Sequence, residues 1–162
     1  MSDERKIIDK ALRHALSGTG AHTETKTVFE ALEWKLAGSL PAGAPHSIYQ
    51  LLNHMLYWQD WVVEWLDEEE PPLPDRAEGS WPGAVAPATR AEWQRAVRSF
   101  GRGLDKLARA SRQADLFATG RGKSPLEMLL TIASHNSYHA AQIVVLRQQL
   151  GAWPPPSGGL TW

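Results

Sequence analysis

Ser124-Pro125-Leu126-Glu127-Met128-Leu129-Leu130-Thr131-Ile132-Ala133-Ser134-His135-Asn136-Ser137-Tyr138-His139-Ala140-Ala141-Gln142-Ile143-Val144-Val145-Leu146-Arg147-Gln148-Gln149-Leu150 is the stretch that decides the fold. It opens with a capping-box pattern, Ser124 three residues before Glu127, and carries proline at the first helical position. Its apolar residues then recur at three- and four-residue spacing, which predicts a long helix over about 124–150. Leu129, Ile132, His135, His139, Ile143, Leu146 and Leu150 share one stripe of that helix, so both histidines should face the protein interior. A spacing of four places the two imidazoles on one face, about one turn apart. That arrangement lets two nitrogens reach a single divalent cation. A buried imidazole needs a hydrogen bond or a metal, because an unpaired polar group costs roughly 1–3 kcal/mol.

Two more helix starts have the same form. Ser47-Ile48-Tyr49-Gln50 and Thr89-Arg90-Ala91-Glu92 fit the capping-box pattern and precede helix-period runs, predicting helices at about 47–68 and 89–112. Upstream, Asp3–Ser17 carries Ile7, Ile8, Ala11, Leu12, Ala15 and Leu16 in helical rhythm until Gly18-Thr19-Gly20 breaks it. A second piece resumes near Thr23 and runs to about Gly38, with Val28, Leu32 and Leu36 inward, so the N-terminal helix is expected to be broken. Residues 67–88 open on the acidic run Asp67–Glu70 and continue through Pro71, Pro72, Pro74 and Gly79-Ser80-Trp81-Pro82-Gly83, a density of proline and glycine that excludes a helix or central strand. A loop of that length marks a crossover or a functional segment. The tail Gly151-Ala152-Trp153-Pro154-Pro155-Pro156 ends the last helix and should lie extended. With no alternating strand, no repeat and no second domain, residues 1–162 read as one all-α helical bundle with a long crossover.

The composition narrows the function. A length of 162 residues suits one domain, and 43% hydrophobic with 22% charged residues is a globular balance. Seventeen basic against eighteen acidic residues leave no basic face for nucleic acid. The absence of cysteine excludes thiolate metal sites and cysteine nucleophiles. The charged start Met1-Ser2-Asp3-Glu4-Arg5-Lys6 is no signal peptide, and no run approaches the roughly 18 apolar residues of a membrane span, so a cytoplasmic protein without membrane attachment is expected. Eight tryptophans serve core or interface packing first. Trp58, Trp61 and Trp65 share one helix face, which suits a core seam or the contact of a homodimer.

His54, in Leu51-Leu52-Asn53-His54-Met55-Leu56-Tyr57-Trp58, is a third candidate near the middle of another apolar helix. Bundles build metal sites from facing helices, and His54 with the 135/139 pair would supply three nitrogens to one cation. A core histidine bonded to a carbonyl is the competing reading of His54. His14, His22 and His46 read as surface or loop residues.

At this point the residues carry a resemblance. Asn53-His54-Met55-Leu56-Tyr57-Trp58, Ala133-Ser134-His135-Asn136-Ser137-Tyr138-His139-Ala140-Ala141-Gln142-Ile143 and the ending Leu146-Arg147-Gln148-Gln149-Leu150-Gly151-Ala152-Trp153-Pro154 resemble the DinB-like metal-binding four-helix-bundle superfamily. The start Pro45-His46-Ser47-Ile48-Tyr49-Gln50-Leu51-Leu52 is similar too, and the resemblance runs from about Ala21 to Trp153. It implies an up-down-down-up four-helix bundle, with the 67–88 segment crossing between the second and third bundle helices. It also implies a divalent metal held by His54, His135 and His139, and a homodimer.

Three histidines on an open cation can lower the pKa of bound water or hold a thiol as thiolate. Histidine ligation suits zinc or nickel first, with copper and iron not separated from them. The zinc-protease pattern with glutamate after the first histidine is absent, since Asn136-Ser137-Tyr138 intervene. Gln142 and Asn53 are candidates to orient the rings, and Tyr57 and Tyr138 to donate to a ligand. The superfamily contains transferases and isomerases that use low-molecular-weight thiols. The resemblance therefore implies a metal-dependent enzyme on small molecules, by thiol transfer or hydrolysis. The alternative is a non-catalytic metal-binding dimer acting as a stress or interaction protein.

Overall fold

The computed structural model describes residues 3–159 of the chain. Four α-helices form: α1 (Asp3–Ser17), α2 (Ile48–Leu66), α3 (Arg90–Gln113) and α4 (Pro125–Gln149), and no strand occurs among the described residues. Their ends fall within two residues of those read from the caps. Ser47 and Ser124 each close a full capping box, with Gln50 and Glu127 respectively. Thr89 makes only half of one. Its hydroxyl accepts from the Glu92 amide, while the Glu92 carboxylate turns away to the Ala88 amide and the Tyr49 hydroxyl.

The expected second helical piece after the Gly18 break is not an α-helix. Residues 23–38 hold two 3-10 turns, Thr25–Phe29 and Leu36–Gly38. Thr23, Thr25, Thr27 and Val28 are β-branched and disfavour helix, and Ala31 sits at a φ of 50° that no helix accommodates. The residues expected to point inward still do so, for Val28 and Leu32 are buried. At the break itself Gly18 has a φ of 81° and bonds the His14 carbonyl, capping α1. The His22 ring packs so closely on it that a Cβ there would lie 2.3 Å from the imidazole.

Helix directions follow from the contacts. Tyr49 donates to Glu92, tying the start of α2 to the start of α3, so these two run parallel. Arg5 near the start of α1 donates to the carbonyls of Ser111 and Ala114 near the end of α3, so α1 runs against them. One apolar cluster joins Ile48, Leu52 and Trp93 to Ile143 and Leu146, and the other joins Val62 and Leu107 to Met128 and Leu129. Thus α4 is also antiparallel to α2 and α3. The order is up-down-down-up, with α2 packed on α3 and α4, and α1 completing the ring against α3 and α4. No helix among the described residues is long and apolar enough to cross a membrane.

The two clusters meet at a polar level. Gln59 on α2 and Asn136 on α4 are fully buried; the Gln59 amide finds no hydrogen-bond partner among the described residues, and the Asn136 side chain meets the His135 ring. Gly103 of α3 makes the room, since a Cβ there would stand 2.4 Å from Gln59 Oε1. Phe100, wholly buried, crosses Phe29 edge-on at 5.2 Å. Phe100→Ala should therefore lower stability by about 3–5 kcal/mol in urea denaturation, whereas Phe117→Ser, at a side chain 60% exposed, should change it by less than about 0.5 kcal/mol.

Candidate metal centre

The helical spacing of four on α4 brings His135 and His139 together, with ring centroids 4.4 Å apart. His54, in the first half of α2, faces them across the interface at 5.0 and 4.8 Å. One nitrogen from each ring lies within 4.8 Å of the other two. The His54 and His135 Nε2 atoms are 3.1 Å apart. Two nitrogens each about 2.0–2.1 Å from one cation stand roughly 3–3.4 Å apart, so this cluster could hold a metal ion.

The far nitrogens are anchored in a way that favours the same outcome. His139 Nδ1–H donates to Gln142 Oε1 at 2.7 Å. The Ser80 hydroxyl donates to the Ala77 carbonyl, so its oxygen is free to accept from His54 Nδ1–H at 3.1 Å, with the Ser80 carbonyl at 3.3 Å. Both anchors fix the tautomer that leaves Nε2 as a lone-pair donor. The Asn136 side chain is the hydrogen-bonding neighbour of the buried His135 ring. Of the two residues expected to orient the rings, Gln142 does so for His139. Asn53 instead donates to the Tyr49 carbonyl at 2.8 Å.

The residues that the sequence reading missed come from the crossover and from the loop before α2. Trp81 stacks on His54 at 3.9 Å and 7°, and His46 stacks on the other face of Trp81 at 3.7 Å and 13°. Ser80 and Trp81 sit among prolines and glycines with no periodicity to place them; a bulky aromatic in such a loop was the one available signal. Tyr138 packs on His139 at 5.1 Å and is largely exposed, while Tyr57 packs on Trp58. His22 is tied to the Thr23 carbonyl and Ser137 Oγ, and His14 is exposed; neither joins the cluster.

Electrostatics keep the three rings neutral. Burial, then the charge of His139, pushes His54 down to about 4; burial, then His139 and His54, does the same to His135. His139 is lowered by burial against the pull of Gln142. Among the described residues, no carboxylate belongs to the cluster or lines the two grooves that flank it. One, of about 410 Å³, is walled by His46, Tyr138 and Gln142, and the other, of about 600 Å³, by Trp58, Trp61 and His135.

Because the folded pKa values of His54 and His135 lie below the ordinary 6.5, the unfolded chain takes up protons first as pH falls. The metal-free protein should keep its full stability above pH 6.5 and lose it progressively down to about pH 4, where the folded-state rings also titrate. The loss should be on the order of 1 kcal/mol per histidine per pH unit. Urea midpoints from pH 7.5 to 4.5 check this, and His54→Phe should flatten the slope.

The family model described as the DinB family matches residues 20–161, and the chain belongs to that family. No curated protein and no solved structure gives a match.

Proposed function

We propose that this DinB-family protein binds one divalent cation through the Nε2 atoms of His54, His135 and His139 and uses it as an enzyme on small molecules, with thiol transfer as the reaction class. The observation that carries this reading is the convergence of three neutral, Nδ1-anchored or buried imidazoles on one point between α2 and α4. Three protein ligands leave positions open, as in catalytic rather than structural sites.

A cation there supplies Lewis acidity, lowering the pKa of a coordinated thiol or water. This chain's residues supply the rest. Ser80 and Gln142 hold the ring tautomers, Trp81 covers one face of His54, and burial excludes competing water. In the metal-free protein the 3.1 Å contact between His54 and His135 requires one Nε2–H donor. Since Ser80 accepts from His54 Nδ1–H, that donor is His135, and its proton must pass to Nδ1 or leave when Nε2 is engaged. Thiol transfer is favoured over hydrolysis by the donor set. A coordinated thiol, like a coordinated water, becomes a nucleophile by losing its proton, but hydrolysis of a stable ester or amide also calls for a side chain that hands a proton to the leaving group. Among the described residues, neither the cluster nor its two grooves contain a carboxylate to serve as one.

Elemental analysis of protein purified without a nickel column tests the site. About one metal per chain is expected, and zinc at a hundred times its dissociation constant should add about 2.7 kcal/mol of stability. His54→Ala and His139→Ala should abolish both effects; an equal zinc response in either variant would sink the assignment. Thiol binding is read by cobalt substitution, where added low-molecular-weight thiol should produce a sulfur-to-cobalt charge-transfer band.

The anchoring residues give a second, independent test. Ser80→Ala and Gln142→Ala should each weaken zinc binding by about tenfold or more. Asn53→Ala, whose amide is occupied by the Tyr49 carbonyl, should leave the zinc affinity unchanged in the same competition titration.

A further inference from the structure

The groove of about 600 Å³ beside His135 has the tryptophan face of α2 as one wall and Met128, Thr131 and Ile132 of α4 as the other, with Leu73 of the crossover. Its volume is that of a small-molecule site. Trp58 connects it to the histidines, with its ring 6.4 Å from His135 and 6.5 Å from His54. Trp61 is fixed by its indole N–H, which donates to the Pro71 and Pro72 carbonyls at 3.1 and 3.2 Å. Trp65 is fixed by the Arg121 guanidinium stacked on it at 4.4 Å. The three indoles are half-buried and held in place by the crossover and the α3–α4 loop, so the apolar wall is preformed.

The rim of this groove is cationic. Arg121 donates to the backbone carbonyls of Trp65 and Glu69 and has no carboxylate partner among the described residues. Lys123 is exposed and also lacks an ion pair there. Glu127, whose carboxylate feels Lys123, is committed to the Ser124 amide and hydroxyl in the helix cap. A flat apolar wall between a nitrogen-donor site and two cations matches a ligand with a planar body and an anionic group.

We propose that this groove is the substrate-binding site and takes a planar, apolar organic anion, its charge at Lys123 and Arg121 and its body lying on Trp61 toward His135. The catalytic meaning of the groove rests on the metal-site reading above, but occupancy of the groove does not. The body would lie where a group at its inner end comes beside the histidine cluster.

Calorimetric titration of the zinc-loaded protein with 2-naphthoate and with neutral 2-naphthalenemethanol tests this. Both should saturate at one site, the anion binding about threefold tighter, the size of a solvent-exposed charge contact. Trp61→Ala should weaken both about tenfold. Lys123→Glu should reverse the preference, and Thr131→Trp, which fills the groove from an exposed helix position, should abolish binding of both. The same titrations in His54→Ala/His139→Ala protein separate the two readings. Retained naphthoate binding there places the ligand in the groove whatever becomes of the metal, and binding lost there but kept in Thr131→Trp shows a carboxylate on zinc and overturns the proposal. Absence of saturable binding in the wild type overturns it as well. So does a Thr131→Trp variant that changes sedimentation instead of affinity, since the face would then be a contact between two copies of the chain.

Discussion

Two parallel helices next to each other cannot be joined by a tight turn, and most of what is distinctive in this protein follows from that constraint. Because α2 and α3 start at the same end, as the Tyr49–Glu92 bond shows, residues 67–89 must return the whole length of the bundle. The returning chain lies over α2. On the way it sets Pro71 and Pro72 on Trp61, then Ser80 on His54 Nδ1, then Trp81 flat on the His54 ring. A segment required by topology therefore also builds one wall of the apolar groove and the support of one imidazole. A reversed α3 would need only a short turn and would leave both His54 and Trp61 without these partners.

The legible part of this molecule was the part governed by local rules. Capping residues are read within a turn, so Ser47, Thr89 and Ser124 marked the helix starts closely. The four-residue spacing of His135 and His139 put two rings on one face of α4. His54 was visible only as a histidine on an apolar helix, where a satisfied core residue was the readier reading, and the family resemblance linked it to the pair. What escaped was non-local. Nothing near Ser80 or Trp81 encodes that they meet His54, because that contact depends on how a proline-rich chain returns across the bundle. Residues 23–38 failed for the opposite reason: their apolar spacing was correct for burial, but β-branched threonines and the strained Ala31 gave turns that bury the same side chains.

The electrostatics of the cluster set its chemistry. A buried histidine beside two others cannot afford a proton, since burial and mutual repulsion act in the same direction, and the pKa values near 4 express this. Neutral rings offer lone pairs at ordinary pH, at once on His54 and His139 and on His135 after its proton shifts from Nε2. The same neutrality deprives the site of a proton acceptor once those lone pairs are engaged. Were a cation held there as proposed, a coordinated thiol or water would have to give its proton to solvent rather than to a side chain of the cluster.

Gln59 and Asn136 show how far the bundle interior is shaped by this site. Both are fully buried; Asn136 meets the His135 ring, while Gln59 is unpartnered among the described residues, which costs roughly 1–3 kcal/mol. Leucines at both positions would join the two apolar clusters into one. Yet Gln59 lies little more than a turn beyond His54 on α2, and Asn136 is the neighbour of His135 on α4, where Gly103 leaves the amide of Gln59 its space. Only one end of this polar level belongs to the histidine site: Asn136 meets the His135 ring, whereas Gln59 faces Gly103 of α3. A leucine in place of Asn136 would put hydrocarbon against that imidazole, while one in place of Gln59 would alter only the packing of α2 on α3.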